Sequence, residues 1–184
     1  MNSLYNGNFP YTRPAHNANE DWYIFYTYPR AEKIIETDLL RRGYNVYLPT
    51  CKNVSYWKNR QRRIIEKALF PSYIFVKTTE AHLFRIAAVP KVVTFLKTSG
   101  KASTIPEEKI AAIRSVIATQ EDIEVKEQFN GGDLVIILSG PLSGLEGRLI
   151  SKIGKKRFAI QIDSLNRVVL VDISETTVFK RIVN

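Results

Sequence analysis

The residues that could do covalent chemistry are few, and their spacing does not suit catalysis. Histidine occurs twice, as His16 near the N-terminus and His82 in a segment patterned for a helix. Cys51 is the sole cysteine, with no histidine or second thiol near it in sequence, so neither a thiol–imidazole dyad nor a zinc site is evident. Ser143 lacks the Gly-x-Ser-x-Gly setting of a nucleophile elbow. The glycines at 140, 144 and 147 lack the Lys-Ser/Thr pair of a phosphate loop. The inventory predicts a protein that is not an enzyme and that uses no cofactor and no metal.

The charged residues are suited to binding instead. Between positions 52 and 67 lie Lys52, Lys58, Arg60, Arg62, Arg63 and Lys67 against the single acid Glu66, with Tyr56 and Trp57 interleaved. Cations meet phosphates and aromatic rings stack on bases, so this composition fits a nucleic-acid strand read without sequence specificity. The plainer reading of such a run is a solvated hairpin tip. The whole chain leans the same way: 27 Lys and Arg against 18 Asp and Glu, a formal charge of +9 that favours polyanionic partners. One cysteine permits no intramolecular disulfide and fits a reducing compartment. There is no apolar run suited to a signal peptide or a membrane span, so the expectation is a cytoplasmic monomer with no membrane partner.

The elements that must position these residues can be read from period and punctuation. Residues 1–19, rich in Asn, Pro and Tyr and without period, read as a flexible leader. Trp22–Tyr28 is a dense aromatic and β-branched run, hence a strand. Ile35 and Leu39 stand one turn apart among charges, predicting a helix over 31–42 that stops at Gly43. Strands follow at Tyr44–Leu48, Tyr73–Lys77 and Val92–Leu96, with a short helix over Glu80–Ala88. Pro106 opens a last helix, with Glu107 and Glu108 in its first turn and Ile110, Ile113 and Ile117 on its buried stripe. The order β-α-β-β-α-β-α over residues 20–119 predicts an α+β sandwich, helices packed on a mainly antiparallel sheet.

Residues 120–130 carry four acids (Glu121, Asp122, Glu124, Glu127) against Lys126, and read as an acidic linker. From 131 to 184 the texture is short strands only, at Leu134–Leu138, Arg148–Lys152, Phe158–Ile162 and Val168–Ile173, predicting a small closed β-barrel. Within it, Gly132-Asp133-Leu134-Val135-Ile136-Ile137 leads into Gly140-Pro141-Leu142-Ser143-Gly144-Leu145-Glu146-Gly147-Arg148-Leu149. A strand enters a tight glycine-rich loop, and a second strand leaves at Arg148. The expectation is that Gly140, Gly144 and Gly147 take backbone angles closed to other residues, so that Leu142 and Leu145 are displayed on a fixed frame. An ordinary hairpin with both leucines folded back into the barrel is the alternative. The phrase resembles the KOW motif of NusG-family and ribosomal proteins.

Three N-terminal landmarks separate those two. Trp22-Tyr23, Leu69-Phe70-Pro71-Ser72-Tyr73-Ile74-Phe75-Val76 and Val89-Pro90-Lys91-Val92-Val93-Thr94-Phe95 are similar to the landmarks of the NusG N-terminal domain, in the same order, and the resemblance spans residues 21–182. It implies an SH3-like KOW barrel behind a NusG-type α/β sandwich. It also implies docking on RNA polymerase at the β′ clamp helices, with the factor reaching toward the β subunit, to suppress pausing and termination. The docking residues implied are Phe70, Pro71, Tyr73, Phe75 and Phe95. The basic hairpin with Lys58, Arg60, Arg62 and Arg63 would lie near upstream DNA, and Arg30, Lys33 and Lys91 match the region where specialised members read a non-template strand. Leu142 and Leu145 occupy the KOW loop that recruits Rho or the ribosomal protein also called NusE.

The Leu69–Val76 phrase is nearer to the specialised RfaH-like and capsule-locus UpxY-like paralogues than to housekeeping members, which more often carry Gly after the Pro. It implies antitermination over a long surface-polysaccharide operon. Support of Rho termination or ribosome coupling, and a ribosome- or RNA-binding KOW protein, are the competing functions. Val135-Ile136-Ile137 and Val168-Val169-Leu170-Val171 favour sheet, so the C-terminal part is expected to remain a barrel without the helical alternative of RfaH.

Overall fold

A computed structural model describes residues 20–56, 62–119, 123–127, 132–152, 155–174 and 177–182. Elements run β1 (Asp21–Thr27), α1 (Glu32–Arg41), β2 (Asn45–Tyr47), β3 (Thr50–Tyr56), β4 (Arg62–Ala68), β5 (Tyr73–Thr78), α2 (Leu83–Ala87), β6 (Val92–Phe95), β7 (Lys97–Thr98), β8 (Lys101–Ala102), β9 (Thr104–Ile105) and α3 (Glu107–Ala118). Six further strands follow: β10 (Ile123–Glu127), β11 (Asp133–Ile137), β12 (Glu146–Lys152), β13 (Lys155–Ile162), β14 (Arg167–Ile173) and β15 (Phe179–Arg181).

The first unit is an antiparallel sheet in the order β2-β5-β1-β6, with β9 also paired to β1. Because successive side chains on a strand point to opposite faces, β1 divides its aromatics between two layers. Tyr23 and Phe25 enter the core under α1 and α2, with Ile35, Leu39, Leu83 and Ile86. Trp22 and Ile24 enter the other, under α3, with Phe75, Ile110, Ile113 and Val116. The expected stripe of α3 is shifted at its end, for Val116 is fully buried and Ile117 only partly. β3 and β4 form a separate two-stranded hairpin off this sheet.

The second unit is one antiparallel sheet, β10-β14-β13-β12-β11-β15. Val135, Ile137, Phe158, Ile160, Val169 and Val171 line its inner face and are buried. Among the described residues no pairing joins β10 to β15, so the expected complete closure is not seen. The acidic linker is corrected as well: residues 123–127 are a strand on β14, from Ile123 opposite Val171 to Glu127 opposite Arg167. Ile123 and Val125 alternate with Glu124 and Lys126, and they pack on the sheet's core while Glu124 meets Arg157 (2.7 Å) and Glu127 meets Arg167 (3.3 Å). A period of two outweighed the charge count. Residues 120–122 and 128–130 of that segment, like the leader 1–19, lie outside the described residues. The apolar contacts on the α3 side run on into the core of this second sheet, and the Ser164 hydroxyl donates to the Thr104 carbonyl at 2.7 Å.

Candidate functional site

The aromatic face expected from the Phe-Pro phrase is mostly core. Phe75 is 0% exposed, flanked by Phe70 at 5.9 Å and Tyr47 at 6.3 Å between ring centroids, and Phe70 is itself buried. Phe95 does not share a face with Tyr73 and Phe75. Its β1 partner is Phe25, whereas Phe75 pairs with Ile24, and cross-strand partners share a face. Phe95 therefore packs on Phe25 under the α2 side, beneath the ring of Phe84. Of the five residues, only Pro71 and Tyr73 keep access to solvent. Tyr73 is half-buried and its ring lies 5.4 Å from that of Tyr26, which is 38% exposed. These two tyrosines are the open edge of the expected face.

One end of the same sheet has a feature that sequence reading missed. Tyr28-Pro29-Arg30-Ala31, Phe70-Pro71-Ser72-Tyr73 and Val89-Pro90-Lys91-Val92 are three turns of one construction. In each, the fourth amide donates to the first carbonyl (3.2, 3.2 and 3.1 Å), proline takes the second position, and the third residue has positive φ. That is the type II pattern, which favours glycine at the third position, yet here it holds Arg30 (φ 63°), Ser72 (φ 67°) and Lys91 (φ 71°). The turns are tied together: Thr27 N–H donates to the Ser72 carbonyl (2.8 Å) and Tyr28 N–H to that of Lys91 (3.0 Å). Strain that the surroundings hold in place in this way gathers at binding sites. Arg30 and Lys91 carry exposed side chains there, beside the exposed ring of Tyr28. The signal was present in sequence as a repeated aromatic-or-aliphatic, Pro, polar phrase.

Lys33, expected beside them, is committed elsewhere. Its ammonium meets the Glu66 carboxylate at 2.6 Å, which with the Thr50 hydroxyl holds that carboxyl below the usual glutamate range. Lys33 therefore anchors the β3–β4 hairpin to α1. Lys52 and Lys67 of that hairpin are exposed. The Lys58 and Arg60 positions lie outside the described residues, and for Arg62 and Arg63 only the backbone, within β4, is described.

In the second unit Leu142 is 5% exposed and joins the core with Val135, Ile137 and Phe158, and Leu145 packs against it. The loop is drawn inward by Gly144 N–H to the Ile137 carbonyl (2.8 Å) and Ile137 N–H to the Leu145 carbonyl (3.0 Å). The folded-back reading thus describes Leu142, and the exposed apolar pair nearby is Leu138 with Val178. Gly140 and Gly144 do take positive φ, at 81° and 86°. Gly147 does not; it is needed for space between β12 and the Phe158 ring.

Comparison with known proteins decides the family. The family described as "Transcription termination factor nusG" matches residues 20–114. "Transcription termination/antitermination protein NusG" of Streptococcus pyogenes is 31% identical over 147 residues, covering 72% of this chain and 80% of that protein. The chain belongs to the NusG family. The protein of the same description from Helicobacter pylori strain J99 is 25% identical over 134 residues, covering 67% and 76%. A solved structure described as "Domain interaction in Thermotoga maritima NusG" superposes with a TM-score of 0.52 at 19% identity, covering 84% of this chain and 93% of that one, which speaks to the fold. This NusG-family chain is a transcription termination/antitermination factor.

Among the described residues, the other groups that could do chemistry in this NusG-family chain sit in structural settings. His82 Nδ1 lies 3.3 Å from the Thr78 hydroxyl, and its ring meets that of Tyr44 edge-on. Cys51 is half-buried, and burial pushes its thiol pKa up. The Tyr47 phenol is pushed up to about 12, chiefly by burial, which the nearby Arg114 partly offsets. The Arg114 guanidinium lies 4.7 Å from the Tyr47 ring centroid and 5.7 Å from that of Trp22, so α3 places a cation over the aromatic layer.

Glu107 ties α3 to the sheet, accepting from Lys77 Nζ (2.7 Å) and Trp22 Nε1 (2.8 Å). The Lys77 bond, then the Trp22 bond, depress its pKa. A carboxyl depressed in the folded state contributes stability above its unfolded pKa and loses it as pH falls through the folded value. Trp22 emission, read in a Trp57→Phe background, is expected to titrate with a midpoint below the usual glutamate value, and Glu107→Gln to abolish the step. A step that persists in Glu107→Gln would refute the assignment.

Proposed function

We propose that this NusG-family factor rides on RNA polymerase, docking on the β′ clamp helices through the Tyr26–Tyr73 edge of the α3-side aromatic layer. Phe70 and Phe75 act from beneath, as the packed support that sets the height and tilt of Tyr73. The reading is carried by one observation: the half-buried ring of Tyr73 and the exposed ring of Tyr26 lie 5.4 Å apart at the open edge of that layer, beside a turn held by hydrogen bonds on both sides. Arg30 and Lys91, with Tyr28 joining their turns, would meet an exposed non-template strand through phosphates and base stacking. The basic hairpin 52–67 would lie toward upstream DNA and the β subunit. Favouring the elongating conformation by binding it better than the paused one suppresses pausing and termination without any bond being made. A long surface-polysaccharide operon is the target class that the Leu69–Val76 phrase supports. The second unit would recruit the NusE ribosomal protein or Rho, with Leu138 and Val178 as its exposed apolar pair in place of Leu142.

An in vitro elongation assay tests this directly. Wild-type protein is expected to shorten pauses and increase read-through, and Tyr73→Ala to require roughly tenfold to thirtyfold more protein for the same effect, as loss of an aromatic anchor worth about 2 kcal/mol would do. Unchanged potency of a folded Tyr73→Ala protein would remove this edge from the docking surface. Increased termination by the wild type in the presence of Rho would instead favour the housekeeping role.

A further inference from the structure

We infer that Glu32 is the positioning residue of the strand-binding turns, an inference that rests on Arg30 and Lys91 meeting a nucleic-acid strand. Glu32 stands in the first turn of α1, two residues after Arg30, and its side chain is buried. Its Oε1 accepts the backbone N–H of Ser72 at 2.7 Å. Ser72 is buried too, and its amide lies at the third position of a type II turn, where the turn's own hydrogen bond does not use it. Without the carboxylate that donor would be a buried amide without an acceptor, beside a backbone angle that serine adopts only under constraint.

The consequence extends to all three turns. Glu32 holds the Phe70–Tyr73 turn against the start of α1, where the Tyr28–Ala31 turn ends. The Ser72 carbonyl holds Thr27, and Tyr28 holds the carbonyl of Lys91. The carboxylate thus adds a side-chain tie to the two backbone bonds that set the spacing of Arg30, Tyr73 and Lys91, and it is the one that fixes the Ser72 amide. Charge alone predicts the opposite: an acid near two cations weakens their pull on phosphate, so deleting it should tighten binding.

That difference in sign is the test. Fluorescence anisotropy of a labelled oligothymidylate, titrated with the full chain at several salt concentrations, gives affinity and salt slope. Arg30→Ala/Lys91→Ala is expected to lower the slope of log K against log salt by about 1.4, two single-strand phosphate contacts. Glu32→Gln keeps the acceptor and loses the charge, and is expected to bind at least as tightly as wild type. Glu32→Ala loses both, and is expected to bind roughly tenfold more weakly despite the gain in net positive charge. Glu32→Asp, which keeps the charge but shortens the reach, should follow Glu32→Ala and serves in its place if the alanine variant does not fold. A folded Glu32→Ala protein that binds as tightly as wild type overturns the positioning role. Failure of both shortened variants to fold would make Glu32 a support of the whole unit and overturn it too. An unchanged slope in Arg30→Ala/Lys91→Ala would instead overturn the strand-binding reading itself.

Discussion

Phe75→Ala is expected to cost about 3–5 kcal/mol, the range for removing a fully buried phenyl ring. Phe75 is among the largest side chains with no exposure at all, and its ring is enclosed by Phe70, Tyr47 and the α3 residues of the same core. A small domain has only about 5–15 kcal/mol of stability in total, so this loss leaves the first unit marginal. Tyr73, two residues away on the same strand face, is half-buried at the rim, and Tyr73→Ala is expected to retain most of the stability. Chemical denaturation of the two variants checks this, and equal midpoints would contradict the burial difference. The comparison also governs how function is measured. A Tyr73/Phe75 double variant would mix lost stability with lost contact, so the docking surface has to be probed at Tyr73 and Tyr26 alone.

Gly147→Ala is expected to destabilise the second unit by about 1–3 kcal/mol through overpacking. A Cβ at this position would come within 2.5 Å of the Ala159 carbonyl oxygen and 2.6–2.7 Å of the Phe158 ring. The carbonyl belongs to the strand β13 paired with β12 and cannot move alone, and the ring is fully buried at the centre of the core. Gly144→Ala meets no neighbour, and its cost is confined to a strained φ, roughly 1 kcal/mol. Thermal unfolding followed by far-UV circular dichroism should therefore rank Gly147→Ala below Gly144→Ala, and the reverse order would show that β12 and β13 do not approach as closely as described.

The two variants also show where the sequence was informative. The glycines of the Gly140–Gly147 loop were legible as a turn because spacing and residue type carry the information locally. Their separate reasons were not. Gly140 and Gly144 serve the backbone angle, whereas Gly147 makes room for a phenylalanine eleven residues on, which no local pattern encodes.

The same division runs through the chain. Local sequence determined β1, β2, β5, β6 and β11 to β14, the three helices and the all-β character of the second unit, since period and punctuation act within a few residues, whereas β3, β4, β10 and the short strands β7 to β9 and β15 were not read from it. It also determined that Tyr73 and Phe75 share a face. Only the tertiary structure decided that Phe75 lies beneath the surface while Tyr73 reaches its edge, and that Phe95 belongs to the opposite layer, because burial depends on which helix covers which face and on cross-strand register. The acidic count at 120–130 suggested a free linker, but Ile123 and Val125 pack on the core of the second sheet and residues 123–127 pair with β14, while Arg157 and Arg167 meet the outward acids. Lys33 reads as a free cation in sequence, and Glu66, thirty-three residues away, claims it. The three proline turns are spelled out locally, one by one. Their convergence at one end of the sheet, held by Glu32, exists only once β1, β5 and β6 are side by side, because the hydrogen bonds that join them cross between segments far apart in the chain.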